Sequence, residues 1–399
     1  MDKPKIRFQG FEEAWCEKTL GEIAECNYGG GTPSTINKDY WSSCGLPWIQ
    51  SSDLIQDDVL NVVPRKFITA KALKNTATKF IPSNSLAIVT RVGVGKLALI
   101  PFDYATSQDF TSLSKLKTDK YFSAFSIYTL LLKDLNLVQG TSIKGITKDE
   151  ILQKDIFIPS LPEQKKIGKL FERIDHLLNL QQRKCDKLND IKKSMLTKMF
   201  PKPGQKVPEV RFEGFTDDWV ECKAEDLFYS ISDKNHPDLP VLSATQEYGM
   251  VKREDLDFNI SHDKKNESTY KRVKPGQFVI HLRSFQGGFA HSLIEGITSP
   301  AYTVIDFKVP EIHHDIFWKY IFNSEKFIKD LESVTYGIRD GRSISFDEFL
   351  TMKFLMTSYK EQKQIGAFFH KLDTLIRLSE LRLDKLRLLK RSFLEGMFV

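Results

Sequence analysis

The sequence predicts an α+β protein in which two mixed α/β domains are separated by two long antiparallel coiled-coil helices, with the halves related as a pseudo-twofold internal repeat. Three observations predict this fold. The chain has 399 residues, the length of two to three ordinary domains. Its characteristic segments recur about 200 residues later. Each copy ends in a long run with the apolar period of a coiled coil.

Three pairs of segments carry the repeat, while the stretches between them share little. The matching segments are PKIRFQGF at 4–11 with PEVRFEGF at 208–215, EQKKIGKLF at 163–171 with EQKQIGAFF at 361–369, and the DKL…MF segment at 186–200 with that at 384–398. The predicted parts are a first domain at 1–160, a long helix at 161–200, a linker at 201–206, a second domain at 207–358 and a second long helix at 359–399.

Each predicted long helix has apolar residues at alternating steps of four and three, a mean step near 3.5 that is typical of coiled coils. The stripe residues expected to pair are Ile167, Phe171, Ile174, Leu178 and Leu188 in the first helix, and Ile365, Phe369, Leu372, Ile376 and Leu386 in the second. A helix of roughly 35 residues is about 50 Å long. Because that exceeds the width of such a domain, we expect the two stripes to pair, and the short linker favours an antiparallel arrangement.

Two points about these helices are open at this stage. Each helix could instead pack separately on its own domain. Lys192 and Lys390 occupy matching positions in the stripes, where a polar residue costs stability but can fix the register of pairing.

Polar loops in the divergent inserts contain the side-chain types that read DNA bases. Arg and Lys pair with guanine, and Gln and Asn pair with adenine, although ordinary surface loops contain the same residues. The candidates are Thr32, Ser34, Gln50, Arg91, Lys96 and Lys144 in the first domain, and Thr245, Gln246, Arg283, Gln286, Arg339 and Arg342 in the second.

The strand pattern at 85–91 ends in a glycine turn with Gly93 and Gly95. A tight hairpin and a turn that lets Arg91 and Lys96 approach a DNA backbone both fit this pattern. A nucleotide phosphate loop is not expected, because the P-loop spacing and its Ser or Thr are missing.

The remaining composition argues against other classes of protein. No apolar stretch is long enough to span a membrane and the chain opens on polar residues, so a cytoplasmic protein without membrane contact is expected. The five cysteines are scattered without a CxxC pair and the eight histidines lack metal-ligand spacing, so no metal site is expected. No catalytic motif is present, and no catalytic residue is nominated.

The net charge of +6 permits a polyanionic partner without requiring one. Segment 163–200 carries ten basic against five acidic residues, and segment 361–398 carries eight against five. Because the predicted helices hold this excess, DNA binding by the domains would require their basic side chains to gather on one face.

The paired RFxGF…W openers, the helix starts SLPEQKKIG and SYKEQKQIG, and the GGTPS…WIQSSDL and LSATQEYGMV…PAYTV runs together resemble the specificity subunit of a type I restriction-modification enzyme. The resemblance implies two target recognition domains that each read one half of a split, asymmetric site in double-stranded DNA. It also implies helices that dock two methyltransferase subunits, with motor and nuclease subunits joining the complex.

The resemblance further implies that the chain is not catalytic and directs adenine methylation and ATP-dependent restriction by its partners. No cofactor is expected on this chain, and S-adenosylmethionine, ATP and Mg are expected on the partner subunits. Two other classes compete with this interpretation: a nuclease or methyltransferase acting alone, and a coiled-coil scaffold or adaptor that does not read DNA.

Overall fold

The computed structural model describes residues 3–137, 145–245, 248–256, 264–280, 289–333 and 345–399. The chain forms two compact units, unit 1 with Met1–Lys184 and Glu380–Val399, and unit 2 with Cys185–Ser379. The predicted mixture of α and β structure is confirmed. The unit boundaries fall inside the two long helices, so the predicted domain boundaries stay a prediction.

The described residues of unit 1 form ten short strands and the start of a long helix. The strands are β1 (Cys16–Thr19), β2 (Ala24–Gly29), β3 (Trp41–Ser42), β4 (Leu46–Ile49), β5 (Lys66–Ile68), β6 (Ser85–Val89), β7 (Leu97–Ile100), β8 (Ala105–Thr106), β9 (Phe110–Leu116) and β10 (Asp155–Ile158). The helices are α1 (Ala70–Asn75), α2 (Lys120–Leu137), α3 (Lys148–Leu152) and α4 (Leu161–Lys198), with 3-10 turns at Lys38–Tyr40 and Ser51–Asp53.

The strands of unit 1 form two four-stranded sheets and one isolated pair. The first sheet is antiparallel in the order β2-β9-β6-β7, the second has the order β3-β5-β4-β8 with β4 and β8 parallel, and β1 pairs with β10. The hairpin that the sequence left open is the β6–β7 pair, with Leu86 opposite Leu99. Its turn contains Gly93 and Gly95 at φ angles of 90° and 96°, a backbone region that favours glycine.

Unit 2 has its own strands and helices. The strands are β11 (Val220–Lys223), β12 (Phe228–Ile231), β13 (Leu242–Thr245), β14 (Gly249–Lys252), β15 (Lys271–Val273), β16 (Phe278–Ile280), β17 (Phe289–His291), β18 (Gly296–Thr298), β19 (Thr303–Phe307) and β20 (Lys353–Met356). The helices are α5 (Ala224–Leu227), α6 (Asp315–Phe322), α7 (Glu325–Ser333), α8 (Phe346–Leu350) and α9 (Tyr359–Met397), with 3-10 turns at Arg253–Asp255, Lys264–Thr269 and Pro310–Ile312.

The main sheet of unit 2 follows the same pattern as the first sheet of unit 1. Its order is β12-β19-β16-β17, so in both units the first strand pairs with the last and the middle hairpin lies at the other edge. Each unit also has a two-stranded pair, β1–β10 in unit 1 and β11–β20 in unit 2. The second strand of each pair is followed directly by a long helix. The repeated sequence segments therefore flank two sheets that have the same strand order.

The core of unit 1 is built around aromatic rings supplied by both ends of the chain. Phe171, a predicted stripe residue, is fully buried and its ring lies 5.4 Å from that of Phe398. Phe122 on α2 lies 5.8 Å from Trp15 and 5.7 Å from Phe398. Truncating a buried Phe to Ala typically costs about 3 to 5 kcal/mol, so the last residues of the chain are integral to this core.

Unit 2 repeats this packing with the equivalent residues. The ring of Phe369 lies 6.1 Å from that of Phe200, which follows α4, and Phe317 on α6 lies 5.8 Å from Trp219. Phe369 is fully buried. Stripe residues at the start of each long helix therefore make two kinds of contact. They pack on the strands of their own unit and against the end of the other long helix.

The helix segments that meet within each unit run antiparallel. In unit 1, Phe171 contacts Phe398 and Asp175 lies 2.7 Å from the Nζ of Lys390, so residue numbers rise along α4 as they fall along α9. In unit 2, the Nζ of Lys192 lies 2.6 Å from Asp373. The two lysines at matching stripe positions therefore each pair with an aspartate of the other helix.

The remaining predicted stripe residues also lie on these inner faces. In unit 1, Ile167 and Ile174 are buried and Leu178 packs against the same core. In unit 2, Ile365, Leu372 and Ile376 are buried, and Leu188 packs against the core there. Leu386 is half-buried. The pairing role of these residues stays a prediction.

Candidate nucleic-acid interface

The repeated RFxGF and EQxxIG segments bind to one another inside each unit. The guanidinium of Arg7 donates hydrogen bonds of 2.7 and 2.9 Å to the two carboxylate oxygens of Glu163, whose side chain is completely buried. Arg211 donates equivalent bonds of 2.7 and 2.8 Å to buried Glu361. Such bidentate charged pairs are among the stronger polar contacts in proteins, so each opener is fastened to the start of a long helix.

The glutamine of each EQxxIG segment binds the beginning of a second helix. The Oε1 of Gln164 accepts a hydrogen bond of 2.9 Å from the backbone N–H of Asp119, which precedes α2. The Oε1 of Gln362 accepts one of 3.0 Å from the N–H of His314, which precedes α6. These N–H groups have no partner inside their own helices, so the glutamines satisfy donors that would otherwise be left unmatched.

The glycine of each segment allows close approach at the same place. A Cβ at Gly168 would lie 2.4 Å from the Oδ1 of Asp119 and 2.8 Å from the backbone N of Phe122. A Cβ at Gly366 would lie 3.1 Å from the backbone N of Phe317. The RFxGF and EQxxIG motifs therefore fasten the frame of each unit together.

Two sequence runs that are distant in the chain meet in unit 1. The indole N–H of Trp48 donates a 2.9 Å hydrogen bond to the carbonyl of Gly31, and that of Trp41 donates a 3.0 Å bond to the carbonyl of Ser34. The two indole rings lie 5.2 Å apart, edge to face. The structure thus brings the loop with the exposed candidates Thr32 and Ser34 next to β4, which Gln50 directly follows.

Gln50 lies where β4 ends and the turn Ser51–Asp53 begins. Its Nε2 donates to the Oγ of Ser52 at 3.0 Å, and its Oε1 accepts from the Nζ of Lys66 at 3.4 Å. The same ammonium lies 5.6 Å from the centre of the Trp48 ring, within the range of a cation–π contact. The side-chain amide of Gln50 is therefore held by the ammonium of Lys66, which in turn packs on the ring of Trp48.

The β6–β7 turn lies against this region. The Nζ of Lys96 donates a 3.2 Å hydrogen bond to the carbonyl of Leu54, and a Cβ at Gly93 would lie 3.8 Å from the Cβ of Ser51. Arg91 in the same turn is exposed. The structure therefore brings the candidates Gln50, Arg91 and Lys96 to one part of unit 1.

Sequence reasoning missed two basic residues at this place. The Nε of Arg65 lies 3.5 Å from the Oδ1 of Asp53 while its side chain remains 65% exposed, and Lys66 follows it at the start of β5. The signal that could have found them is the Pro64-Arg65-Lys66 sequence in front of a strand. Residues 50–54, 65–66 and 90–96 together are called the unit-1 polar surface.

Unit 2 offers one described candidate. The hydroxyl of Thr245 donates to the carbonyl of Gly249 at 2.9 Å and accepts from the N–H of Tyr248 at 3.1 Å, so it stabilises the turn between β13 and β14. The candidates Lys144, Gln246, Arg283, Gln286, Arg339 and Arg342 lie outside the described residues. No DNA-binding role has been tested for any of the twelve candidates, and all of these roles stay predictions.

Two absences concern the described part of the chain. No group of three or more His, Cys, Asp or Glu side chains there is arranged to hold a metal ion. Among the described helices, none combines the length and apolar character that crossing a bilayer requires.

Comparison with known proteins finds a family model that matches part of the chain. Residues 12–190 match the family model of the type I restriction modification DNA specificity domain. This segment is similar to type I restriction-modification DNA specificity domains. The resemblance seen in the repeated motifs is thereby confirmed.

The curated relatives are specificity subunits of type I restriction enzymes. One from Escherichia coli is 28% identical over 183 residues, which cover 44% of this chain and 44% of that protein. One from Methanocaldococcus jannaschii is 24% identical over 302 residues, covering 70% of this chain and 69% of that protein. The match to the first of these spans less than half of the relative's length.

A solved structure shares the fold of the whole chain. The crystal structure of the S subunit of a type I restriction-modification system from M. genitalium superposes with a TM-score of 0.62 at 13% identity, covering 100% of this chain and 99% of that one. The similarity in fold to that protein therefore extends beyond the 12–190 segment that the family model matches.

Proposed function

We propose that this chain is the DNA-binding specificity subunit of a type I restriction-modification complex, in which each unit reads one half of a split, asymmetric target. The observation that carries the proposal is that a segment matching a DNA specificity domain lies in a frame that the chain builds twice. The same strand order and the same Arg–Glu lock occur in both units, while the inserts differ. Two unlike inserts on like frames would read two unlike half-sites.

The proposal includes a pseudo-twofold relation and an antiparallel coiled-coil pairing of α4 and α9. The antiparallel contacts within each unit support it, as do the matching Lys192–Asp373 and Lys390–Asp175 pairs. Two recognition domains related in this way would bind half-sites in opposed orientation. The half-sites would lie about one turn of DNA apart, or a multiple of one turn.

In unit 1, the polar surface would supply the DNA contacts. Arg65 and Arg91 are exposed, and a guanidinium can bind guanine through two parallel hydrogen bonds. A glutamine amide can pair with adenine, so Gln50 would contact an adenine after releasing Ser52 or Lys66. Lys66 and Lys96 are anchored by protein groups, so they would act on phosphates as fixed charges that set the register of binding.

Docking of two methyltransferase subunits would use the outer faces of the helices. Leu177 and Leu180 on α4 are 50% and 49% exposed, and Leu375 and Leu378 at the equivalent positions of α9 are 38% and 43% exposed. Repeated exposed leucines on one helix face are typical of helix-to-helix docking sites. Their occurrence once in each unit matches one methyltransferase per unit.

In the proposed complex, this chain selects and positions DNA and its partners perform the chemistry. A methyltransferase must flip its adenine out of the duplex, and S-adenosylmethionine, ATP and Mg would be bound by the methyltransferase and motor subunits. This chain would hold no cofactor and catalyse no step.

The proposal is tested by expressing the chain with a cognate type I methyltransferase subunit and mapping methylated adenines by single-molecule sequencing of the host genome. A bipartite motif with unlike halves and one modified adenine in each half is expected. A stable complex of one chain with two methyltransferases but without any sequence motif would favour the scaffold that does not read DNA. Methylation or cleavage by the purified chain alone would favour an autonomous enzyme.

A further inference from the structure

A buried lysine of unit 1 joins the last helix to the loop that carries part of the polar surface. Lys390 on α9 is only 7% exposed. Its Nζ lies 2.7 Å from the Oδ1 of Asp175 on α4 and donates a 3.0 Å hydrogen bond to the backbone carbonyl of Asp57. It also lies 5.5 Å from the centre of the Phe125 ring on α2. One ammonium group therefore contacts three elements at once.

The loop at this contact holds an unfavourable backbone conformation. Asp57 has a φ of 62°, in the left-handed region that residues other than glycine seldom adopt. Its carboxylate accepts a 2.5 Å hydrogen bond from the hydroxyl of Tyr128 on α2. A conformation of this kind persists where its surroundings impose it, and here Lys390 and Tyr128 grip the same residue.

This gripped residue belongs to the loop that begins at Gln50. The loop runs from Gln50 through the turn Ser51–Asp53 and Leu54 to Asp57. Its first part contacts Lys66 and Lys96 on the polar surface. Its last part is held by Lys390, so the two ends of one short segment are fixed by different parts of unit 1.

The equivalent pair of unit 2 is built differently. Lys192 and Asp373 are 32% and 26% exposed. Asp373 accepts a 2.7 Å hydrogen bond from the hydroxyl of Tyr320 on α6 and lies 3.6 Å from the Nζ of Lys319. This pair thus joins helix to helix, whereas the Lys390 pair also holds the polar-surface loop.

We propose that Lys390 is a positioning residue for unit 1, which fixes the loop 50–57 on the helices so that the polar surface keeps its shape. The DNA part of this inference rests on the proposed function. It makes half-site reading by unit 1 depend on the last turns of the second repeat, 333 positions away from the loop residue that they hold.

The structural part is tested by hydrogen–deuterium exchange on the full chain. In Lys390→Met, which keeps the length of the side chain and removes its charge and donors, amide exchange in the peptide covering 50–58 is expected to rise about tenfold or more, while exchange in β2, β6 and β9 stays unchanged. The matched variant Lys192→Met is expected to leave the 50–58 peptide as in the wild type. Equal exchange of that peptide in Lys390→Met and the wild type would overturn the inference.

Two further variants keep the test decisive. Tyr128→Phe removes the second hydrogen bond to Asp57 without altering the Lys390–Asp175 pair, and a smaller rise in amide exchange of the 50–58 peptide is expected. This variant serves as the test if Lys390→Met does not fold. Lys390→Arg keeps the positive charge, and its 50–58 peptide is expected to exchange at a rate intermediate between those of Lys390→Met and the wild type. A rise confined to the helix peptides in all variants would show a purely structural role.

The DNA part uses the bipartite site found by methylation mapping. Lys390→Met is expected to lose discrimination against base changes in one half-site about tenfold, with the other half-site read as before, and Lys192→Met is expected to leave both unchanged. Equal losses at both half-sites would overturn the positioning role. If the wild type itself showed no motif, the proposed function would fail while the exchange result would still decide whether Lys390 holds the loop.

Discussion

Arg7 and Glu163 lie 156 positions apart, yet the guanidinium of one donates two hydrogen bonds, of 2.7 and 2.9 Å, to the carboxylate of the other. Arg211 and Glu361 repeat the contact in unit 2. The motifs that open each repeat and start each long helix are therefore two halves of one buried lock. The lock leaves the loops between them free to differ in sequence.

Breaking this lock is expected to destabilise unit 1 strongly. Arg7→Met leaves the carboxylate of Glu163 buried without its cation, a change that costs about 3 to 5 kcal/mol in comparable sites. Urea unfolding of the full chain measures it, with Lys223→Met, which breaks an exposed pair with Glu225, as the control that leaves stability unchanged. A midpoint for Arg7→Met equal to that of the control would contradict the lock.

Burial of Asp175 is expected to make the stability of unit 1 fall as pH rises, because the protonated carboxyl is favoured in the native state. Burial raises the pKa of Asp175 from 3.8 to about 6, an effect that the Lys390 ammonium partly offsets and the neighbouring Asp58 carboxylate increases. The native state thus binds a proton more readily than the unfolded chain. The contribution of protonated Asp175 to the free energy of unfolding is fully present below about pH 4. It is lost as pH rises through about 6, which lowers the free energy of unfolding by roughly 3 kcal/mol.

Asp175→Asn is expected to remove this slope. The free energy of unfolding of the variant, minus that of the wild type, should increase between pH 4 and pH 7 because the variant has no carboxyl to ionise. Denaturant titrations at several pH values measure the difference, and Tyr128 beside the pair stays protonated throughout because burial raises its pKa. A difference independent of pH would show that Asp175 ionises normally.

The equivalent residue in unit 2 is expected to respond in the opposite sense. Burial alone would raise the pKa of Asp373, but hydrogen bonds from Lys192 and Tyr320 outweigh it and hold the pKa below its ordinary value. Its contribution is present above about pH 4 and is lost as pH falls through the native pKa. Asp373→Asn should therefore lose most stability near neutral pH and least in acid, and the same slope for both variants would refute the contrast.

Arg91 provides the test of base reading by unit 1. If its guanidinium reads a base, Arg91→Ala should cost about 1 to 3 kcal/mol of binding and relax one position of the target. Fluorescence anisotropy with DNAs changed at single positions gives the specificity profile, and Lys66→Met is the comparison expected to weaken binding on all sequences alike. A uniform loss for Arg91→Ala, with a shallower salt dependence, would assign it to a phosphate instead.

The exposed leucines test how partners dock. Replacing Leu177 and Leu180 with Ser is expected to remove one of two methyltransferase subunits, and the same change at Leu375 and Leu378 is expected to remove the other. Because these side chains are 38% to 50% exposed, the thermal stability of the chain alone should change little. Native mass spectrometry counts the subunits, and a complex that keeps two methyltransferases in both double variants would place docking elsewhere.

The parts of the structure that sequence predicts well are those with local signals. The 3.5-residue period predicted the helices that the structure places at Leu161–Lys198 and Tyr359–Met397. The apolar run at 85–89 with Gly93 fitted a tight hairpin as one of two open interpretations, and the structure has the β6–β7 hairpin there. Period and turn chemistry depend on neighbours in the chain, so they can be detected in a single sequence.

The parts that sequence did not predict depend on distant partners. The EQxxIG segment carried part of the family resemblance, but its packing role requires Arg7 and Asp119, which lie far from it in sequence. Arg65 joined the polar surface only because β5 places it beside Asp53. The sheet β3-β5-β4-β8 also escaped prediction, since strands of two to four residues carry little periodic signal.

An exchange of one insert tests the central claim, that each unit reads its own half of the target. Residues 20–155 are replaced by the corresponding insert of another type I specificity subunit, the chimera is expressed with the methyltransferase, and methylated adenines are mapped across the genome. The expected result is a bipartite motif in which one half is new and the other is the same as in the wild type. Simultaneous change of both halves, or an unaltered motif in a chimera that assembles normally, would contradict it.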